Sequence, residues 1–107
     1  MINIDFSSYK GIVVFDGFHI NPNIPLSKQL YELKEDMLQV EFPDSYILDI
    51  GWRPSFNIDG YFHVLLIKDF DWEEPKYTKY SRDINQLIHD VQLALTELDL
   101  SINGGTF

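Results

Sequence analysis

Large apolar side chains recur at a two-residue period on either side of a loop within residues 46–72. Tyr46, Leu48, Ile50 and Trp52 share one parity, and Phe62, Val64, Leu66, Phe70 and Trp72 share one in the run that follows, interrupted by Lys68. Side chains of a β-strand point alternately to its two faces, so this period places a large apolar face on each of two strands. Between them lies Arg53-Pro54-Ser55-Phe56-Asn57-Ile58-Asp59-Gly60. Pro54 removes a ladder donor and Asp59-Gly60 offers a left-handed turn position, which predicts an antiparallel hairpin reversing there. On the opposite parity, Tyr61, His63, Leu65, Ile67, Asp69 and Asp71 make a face that is apolar in the middle and acidic at its end. Such a strand is expected to be central, covered on both sides, and to emerge into solvent at Asp69.

The flanking segments predict the elements that cover this hairpin. Ile2, Ile4 and Phe6 alternate with Asn3 and Asp5, a short strand ending at Ser7-Ser8. Residues Gly11 to Ile20 read as a second strand paired with the first, with Gly17 marking a bulge or a close backbone approach. After the turn Asn21-Pro22-Asn23-Ile24-Pro25, the residues Leu26, Leu30, Leu33, Met37 and Val40 recur at steps of three and four. That stripe predicts a helix from Pro25 to about Val40, with Lys28, Glu32, Lys34, Glu35 and Asp36 largely off it, and Phe42-Pro43-Asp44 returning the chain to the hairpin. Residues 71–80 read as a polar and aromatic loop, and Ser81 as the N-cap of a last helix with Asp83 in its first turn. Ile84, Leu87, Ile88, Val91, Ala94, Leu95 and Leu98 form that helix's apolar stripe, and Asn103-Gly104-Gly105 its stop, leaving Thr106-Phe107 loose. The expected fold is a single α+β domain over residues 1–107, in the order β-β-α-β-β-α, with two helices packed on one mostly antiparallel sheet.

Composition narrows the class. The 107 residues are 45% hydrophobic and 15% aromatic, too rich for a disordered acidic tail. Cysteine is absent, which removes disulfides and thiolate metal sites and is compatible with a reducing cytosol. The opening residues Met1 to Asp5 carry no basic region and no following apolar core, and no run approaches the roughly 20 residues of a spanning helix. A cytoplasmic protein without a membrane anchor is the expectation. The formal charge of −9, from 8 Lys and Arg against 17 Asp and Glu, is spread along the chain. A field of that sign repels nucleic acid and anionic lipid and steers a basic protein partner inward.

Catalysis needs partners in defined roles, and no diagnostic spacing of nucleophile and base, paired carboxylates or phosphate-cradling glycines occurs. His19, His63 and His89 come from different elements, and His63, beside Val64 and Leu65, reads as a satisfied core or interface histidine. Glu35, Asp36 and Glu41 have no histidine at helical spacing, and Gly104 and Gly105 precede no helix. Tyr77, Lys79, Tyr80 and Arg82 make one aromatic-basic spot, read as a loop tying itself to the sheet. No catalytic residue, metal or cofactor is therefore expected. What remains is Asp69, Asp71, Glu73 and Glu74 gathered around Trp72, with Tyr46 and Trp52 expected nearby on the paired strand. Aromatic anchors with a charged rim suit a basic cleft on another protein; the alternative turns Trp72 into the core and leaves the carboxylates to solvate a loop.

Ile50-Gly51 closing one strand, a short polar loop, Gly60-Tyr61-Phe62-His63-Val64 opening the next, Trp72 near its end and a closing amphipathic helix together resemble bacterial immunity proteins of polymorphic-toxin systems. The similarity is greatest to immunity protein family eight and to the immunity proteins of contact-dependent growth inhibition, over residues 46–98. The resemblance implies a cytoplasmic inhibitor that binds the C-terminal toxin domain of a cognate effector. Many such toxins are ribonucleases or deoxyribonucleases, whose clefts must be basic to hold phosphates. It brings no catalytic residues, and the first 45 residues match no pattern. Two other classes of function are compatible with the residues: a small adaptor or structural subunit that oligomerises through an apolar sheet face, and a hydrolase using His63 with Asp49 or Asp69.

Overall fold

The predicted hairpin is the middle of a larger sheet. In the computed structural model, which describes residues 2–103, five strands form one antiparallel sheet: β1 (Ile12–Asp16), β2 (Leu38–Phe42), β3 (Tyr46–Arg53), β4 (Tyr61–Lys68) and β5 (Tyr77–Ser81). Their spatial order is β1-β2-β3-β4-β5, and α1 (Ile84–Asn103) follows. The fold is thus five strands and one long helix, in place of the expected β-β-α-β-β-α order with two helices. The residues expected to end the last helix and leave it, Gly104 to Phe107, lie outside the described residues.

One face of the sheet carries the main core. Leu38 pairs with Ile50 and Ile50 with Val64; Val40 pairs with Leu48 and Leu48 with Leu66; Trp52 pairs with Phe62. All of these side chains are buried, in the parity expected for β3 and for β4 as far as Leu66. Helix α1 lays Leu87, Val91, Ala94, Leu95 and Leu98 onto that face, with Ile84 and Ile88 at the margin, as their spacing predicts. Its N-cap is Asp83, whose Oδ1 accepts from Gln86 N at 2.8 Å. Ser81, the expected cap, instead ends β5.

The expected helix over 25–40 is replaced by two 3-10 turns, Leu26–Lys28 and Leu30–Glu32, followed by β2. Gln29 separates the turns at φ −141°, outside helical space. Its buried side chain accepts from Asn21 N and donates to Asn21 O and Ile24 O, each at 2.9 Å, so it serves the preceding loop. The apolar stripe is still core: Leu33, Met37 and Val40 are fully buried, and Leu26 and Leu30 pack against them. The period-two run Leu38-Gln39-Val40-Glu41-Phe42 overlaps the end of that stripe. As a strand it pairs with both β1 and β3, satisfying backbone groups that a helix there would leave those two strands without.

The N-terminus differs likewise. Residues 2–6 form no strand; Phe6–Tyr9 is a 3-10 turn capped by Asp5, and Ile2 and Phe6 are buried all the same. Hydrogen bonds from the Ser7 and Ser8 hydroxyls and the Ser7 amide hold the Asp5 carboxyl below its ordinary range. β1 pairs with β2, and its register shifts between Val13 and Phe15, so the bulge sits at Val14. Gly17 marks the close approach, donating its N–H to Met37 O at 2.8 Å. Within residues 71–80, expected as loop, Tyr77 to Tyr80 belong to edge strand β5, whose Tyr77 pairs with Leu66.

Candidate protein-binding site

β4 stops at Lys68, four residues before the strand expected from the sequence, because the backbone turns left-handed at Asp69 (φ 55°) and Phe70 (φ 60°). Aspartate tolerates that region; for phenylalanine it is strained, and the surroundings must hold it. They do so through main-chain bonds. Asp69 N donates to Ser45 O at 3.0 Å, Asp71 N to Lys68 O at 3.0 Å, Trp72 N to Phe70 O at 3.1 Å and Lys76 N to Leu66 O at 2.8 Å. Glu74 N adds a bond to Asp71 Oδ1 at 3.3 Å. The acidic loop is therefore tied at both ends and internally.

The β2–β3 turn lies against it. Asp44 (φ 64°) and Ser45 (φ 63°) reverse the chain there, and Ser45 O receives the Asp69 amide. This end of the sheet consequently exposes Asp44, Asp69, Asp71, Glu73 and Glu74 together with two aromatic side chains, Phe70 at 69% exposure and Trp72 at 44%. Lys68 is the cation nearest them in sequence, and it is engaged: its Nζ sits 4.5 Å from the Tyr46 ring centroid, donates to Asp44 O and lies 4.0 Å from Asp69 Oδ1.

The residues singled out from the sequence separate into three groups. Asp69, Asp71, Trp72, Glu73 and Glu74 come together on the exposed loop. Tyr46 is at the same end, paired with Lys68, but is buried beneath it and supports the surface. Trp52 does not belong there. It lies six residues along β3, roughly 20 Å from Tyr46 at strand rise, fully buried, with its ring edge-on to Phe62 at 4.8 Å and its Nε1 donating to Asn57 O at 2.8 Å. Gly60 makes room for that indole: a Cβ there would stand 2.5 Å from Trp52 Nε1 and from Arg53 O. Its φ is not positive, so its role is close approach and the left-handed position of the loop falls to Phe56. Sequence reasoning missed Phe70, which strand parity assigned to the core, and Asp44. The available signals were the left-handed tolerance of Asp69 and the turn chemistry of Pro43-Asp44-Ser45.

The second face of the sheet holds a smaller cluster, Ile47, Leu65 and Ile67, and beside it the histidine–carboxyl pair weighed above. His63 Nε2 and Asp49 Oδ2 are 3.0 Å apart, both buried, and Gln39 Nε2 donates to Asp49 Oδ1 at 3.1 Å. Gly51, opposite His63, leaves space for the imidazole and for the Glu35 carbonyl that crosses over it. His63 Nδ1 is buried without a partner among the described residues, and no hydroxyl is bonded to the ring. The network ties β2, β3 and β4 together beneath the surface. Asp69 lies beyond the end of β4, six residues from His63, and His19 and His89 are exposed elsewhere.

Surface clefts of about 510 and 330 Å3 lie at the Ser8–Lys10 turn with the end of α1, and at Phe15, Asp36 and Gln39; neither reaches the acidic loop or His63. Among the described residues no group of three or more histidines and carboxylates converges as a metal site, and no helix is long and apolar enough to cross a membrane. The arrangement suits recognition of a basic surface by charge and aromatic insertion. Comparison with protein-family models, with curated proteins and with solved structures finds no match.

Proposed function

We propose that the protein is a cytoplasmic immunity protein, an inhibitor without turnover of its own that occupies the basic substrate cleft of a cognate ribonuclease or deoxyribonuclease toxin domain. The observation that carries this reading is the exposure of Phe70 and Trp72 among four carboxylates on a loop tied down by main-chain bonds, with Asp44 on the adjoining β2–β3 turn. A nuclease cleft must hold phosphates and is therefore cationic. Carboxylates on the loop stand in for those phosphates, and the two rings supply the apolar anchor that charge alone lacks. Because the loop is already ordered, little conformational freedom is lost on binding. The net charge of −9 speeds encounter with a cationic partner, an effect that weakens as salt rises.

Co-expression with toxin domains encoded immediately upstream tests the reading: the cognate toxin's growth arrest is relieved by this chain. Reversing Asp69, Asp71, Glu73 and Glu74 to lysine abolishes protection while far-UV circular dichroism stays unchanged. Full protection by that variant moves the interface off the loop.

A further inference from the structure

The apolar parity of β4 runs through Phe62, Val64 and Leu66 and then breaks at Lys68, whose partner across the ladder is the buried Tyr46. An aliphatic residue there would cover the Tyr46 ring as well as a lysine stem does. What the lysine adds is an ammonium group aimed across the end of the sheet. Its Nζ stands 4.5 Å from the Tyr46 ring centroid, donates to Asp44 O and lies 4.0 Å from Asp69 Oδ1. The next residue acts in the same direction through its main chain, Asp69 N donating to Ser45 O at 3.0 Å. Two successive residues at the end of β4 thereby hold two successive carbonyls of the β2–β3 turn.

Both turns need such support. Asp44 and Ser45 in one, and Asp69 and Phe70 in the other, have φ between 55° and 64°. Non-glycine residues persist in that left-handed region only where their surroundings fix them. Without the ammonium group, the bond from Asp69 N to Ser45 O is left to join the two reversals.

We infer that Lys68 is a positioning residue of the partner-binding surface: it fixes the Asp44 turn against the acidic loop, so that carboxylates from two chain reversals form one rigid face. The inference rests on the reading of that face as the contact for a cationic toxin domain. It has a consequence that charge alone opposes. A cation inside an acidic contact repels a cationic partner, so electrostatics by itself expects Lys68→Met to bind faster and more tightly. Positioning expects weaker binding, because turns that move independently lose more freedom in the complex and release the partner sooner.

Amide hydrogen exchange of the full chain, without partner, reads the geometry. Lys68→Met is expected to speed exchange of the Asp69 amide about tenfold, while the amides of the β3–β4 ladder and the far-UV circular dichroism stay unchanged. Lys68→Arg keeps a donor and a cation over the ring and exchanges as wild type. The difference persists at about 0.5 M salt, since it comes from a directed bond and not from screened repulsion among carboxylates. On the immobilised toxin domain that co-expression identifies, Lys68→Met dissociates about tenfold faster and associates at least as fast as wild type; Lys68→Arg again matches wild type. An unchanged Asp69 amide, a difference that vanishes with salt, or dissociation as slow as wild type overturns the inference. A wild-type chain that binds no toxin domain overturns the functional reading instead, and the exchange measurement then still decides whether Lys68 sets the geometry of the two turns.

Discussion

Trp52 and Trp72 share the parity of one hairpin face in the sequence, and they end at opposite ends of the structure in opposite roles. Trp52 is fully buried, packed edge-on against Phe62 and satisfied at its indole N–H by Asn57 O. Around it the charges are answered locally. Arg53 lies 3.5 Å from Glu35, and Arg82 donates to Ile58 O and stacks over Tyr61. Trp72 is exposed on a loop where carboxylates outnumber cations, Asp44, Asp69, Asp71, Glu73 and Glu74 against Lys68 and Lys76. One end of the hairpin thus uses its tryptophan to hold the fold, and the other leaves aromatic surface exposed amid an excess of negative charge. The difference teaches that residue type and strand parity do not decide burial; the point at which the strand stops does.

The strongest way to break this contrast is at the buried end. Trp52→Ala removes a fully buried ring and is expected to cost about 3–5 kcal/mol, a large part of the ~5–15 kcal/mol that holds an ordinary domain; urea denaturation measures it. Trp72→Ala is expected to change stability by less than about 0.5 kcal/mol, while weakening binding of the proposed toxin partner by about 2 kcal/mol or more in titration calorimetry. Equal destabilisation by the two variants would erase the distinction.

Between the ends, Asp49→Ala leaves His63 and Gln39 without their shared acceptor in a buried site, at an expected cost of about 1–3 kcal/mol, again read by denaturation. Asp49→Asn keeps an acceptor oxygen and is expected to cost less. The smallest effect concerns Tyr77, which supports the start of β5 by donating to Asp90 O at 3.1 Å. Partial burial, with the Asp90 and Glu97 carboxylates, pushes its hydroxyl up to about 12 from an ordinary 10.0. The folded state therefore favours the protonated phenol. That contribution is complete below pH 10 and is lost as pH rises from 10 toward 12. Tyr77→Phe is expected to flatten the alkaline fall in melting temperature over that window.

Parts of the fold were legible because a single local pattern admitted a single answer. The parity of β3 and the stripe of α1 are of that kind: β3 buries Tyr46, Leu48, Ile50 and Trp52, and α1 buries Leu87, Val91, Ala94, Leu95 and Leu98 with Ile84 and Ile88 half-buried at the margin. Residues 26–42 were not, since one list of leucines, Met37 and Val40 satisfies a helical period while Leu38, Val40 and Phe42 satisfy a strand period. β5 was invisible because Tyr77 to Tyr80 present no large apolar face, as an edge strand need not. Of the candidate site, the carboxylates and Trp72 were legible from their crowding, whereas Phe70 and Asp44 depended on where two chain reversals fall. His63 and Asp49 meet through the β3–β4 register, which hairpin parity allows but does not specify.

By itself, then, the sequence determined the apolar faces of β3 and of the final helix, that a hairpin and that helix exist, and that one stretch concentrates negative charge. Only the tertiary structure decided that residues 38–42 form a strand, that β4 yields to a left-handed turn at Asp69, and that the two tryptophans part company. The physical reason is that a strand is stabilised by backbone partners contributed from elsewhere in the chain. The pattern within a segment states what it can bury, and its neighbours across the sheet settle which way it does so.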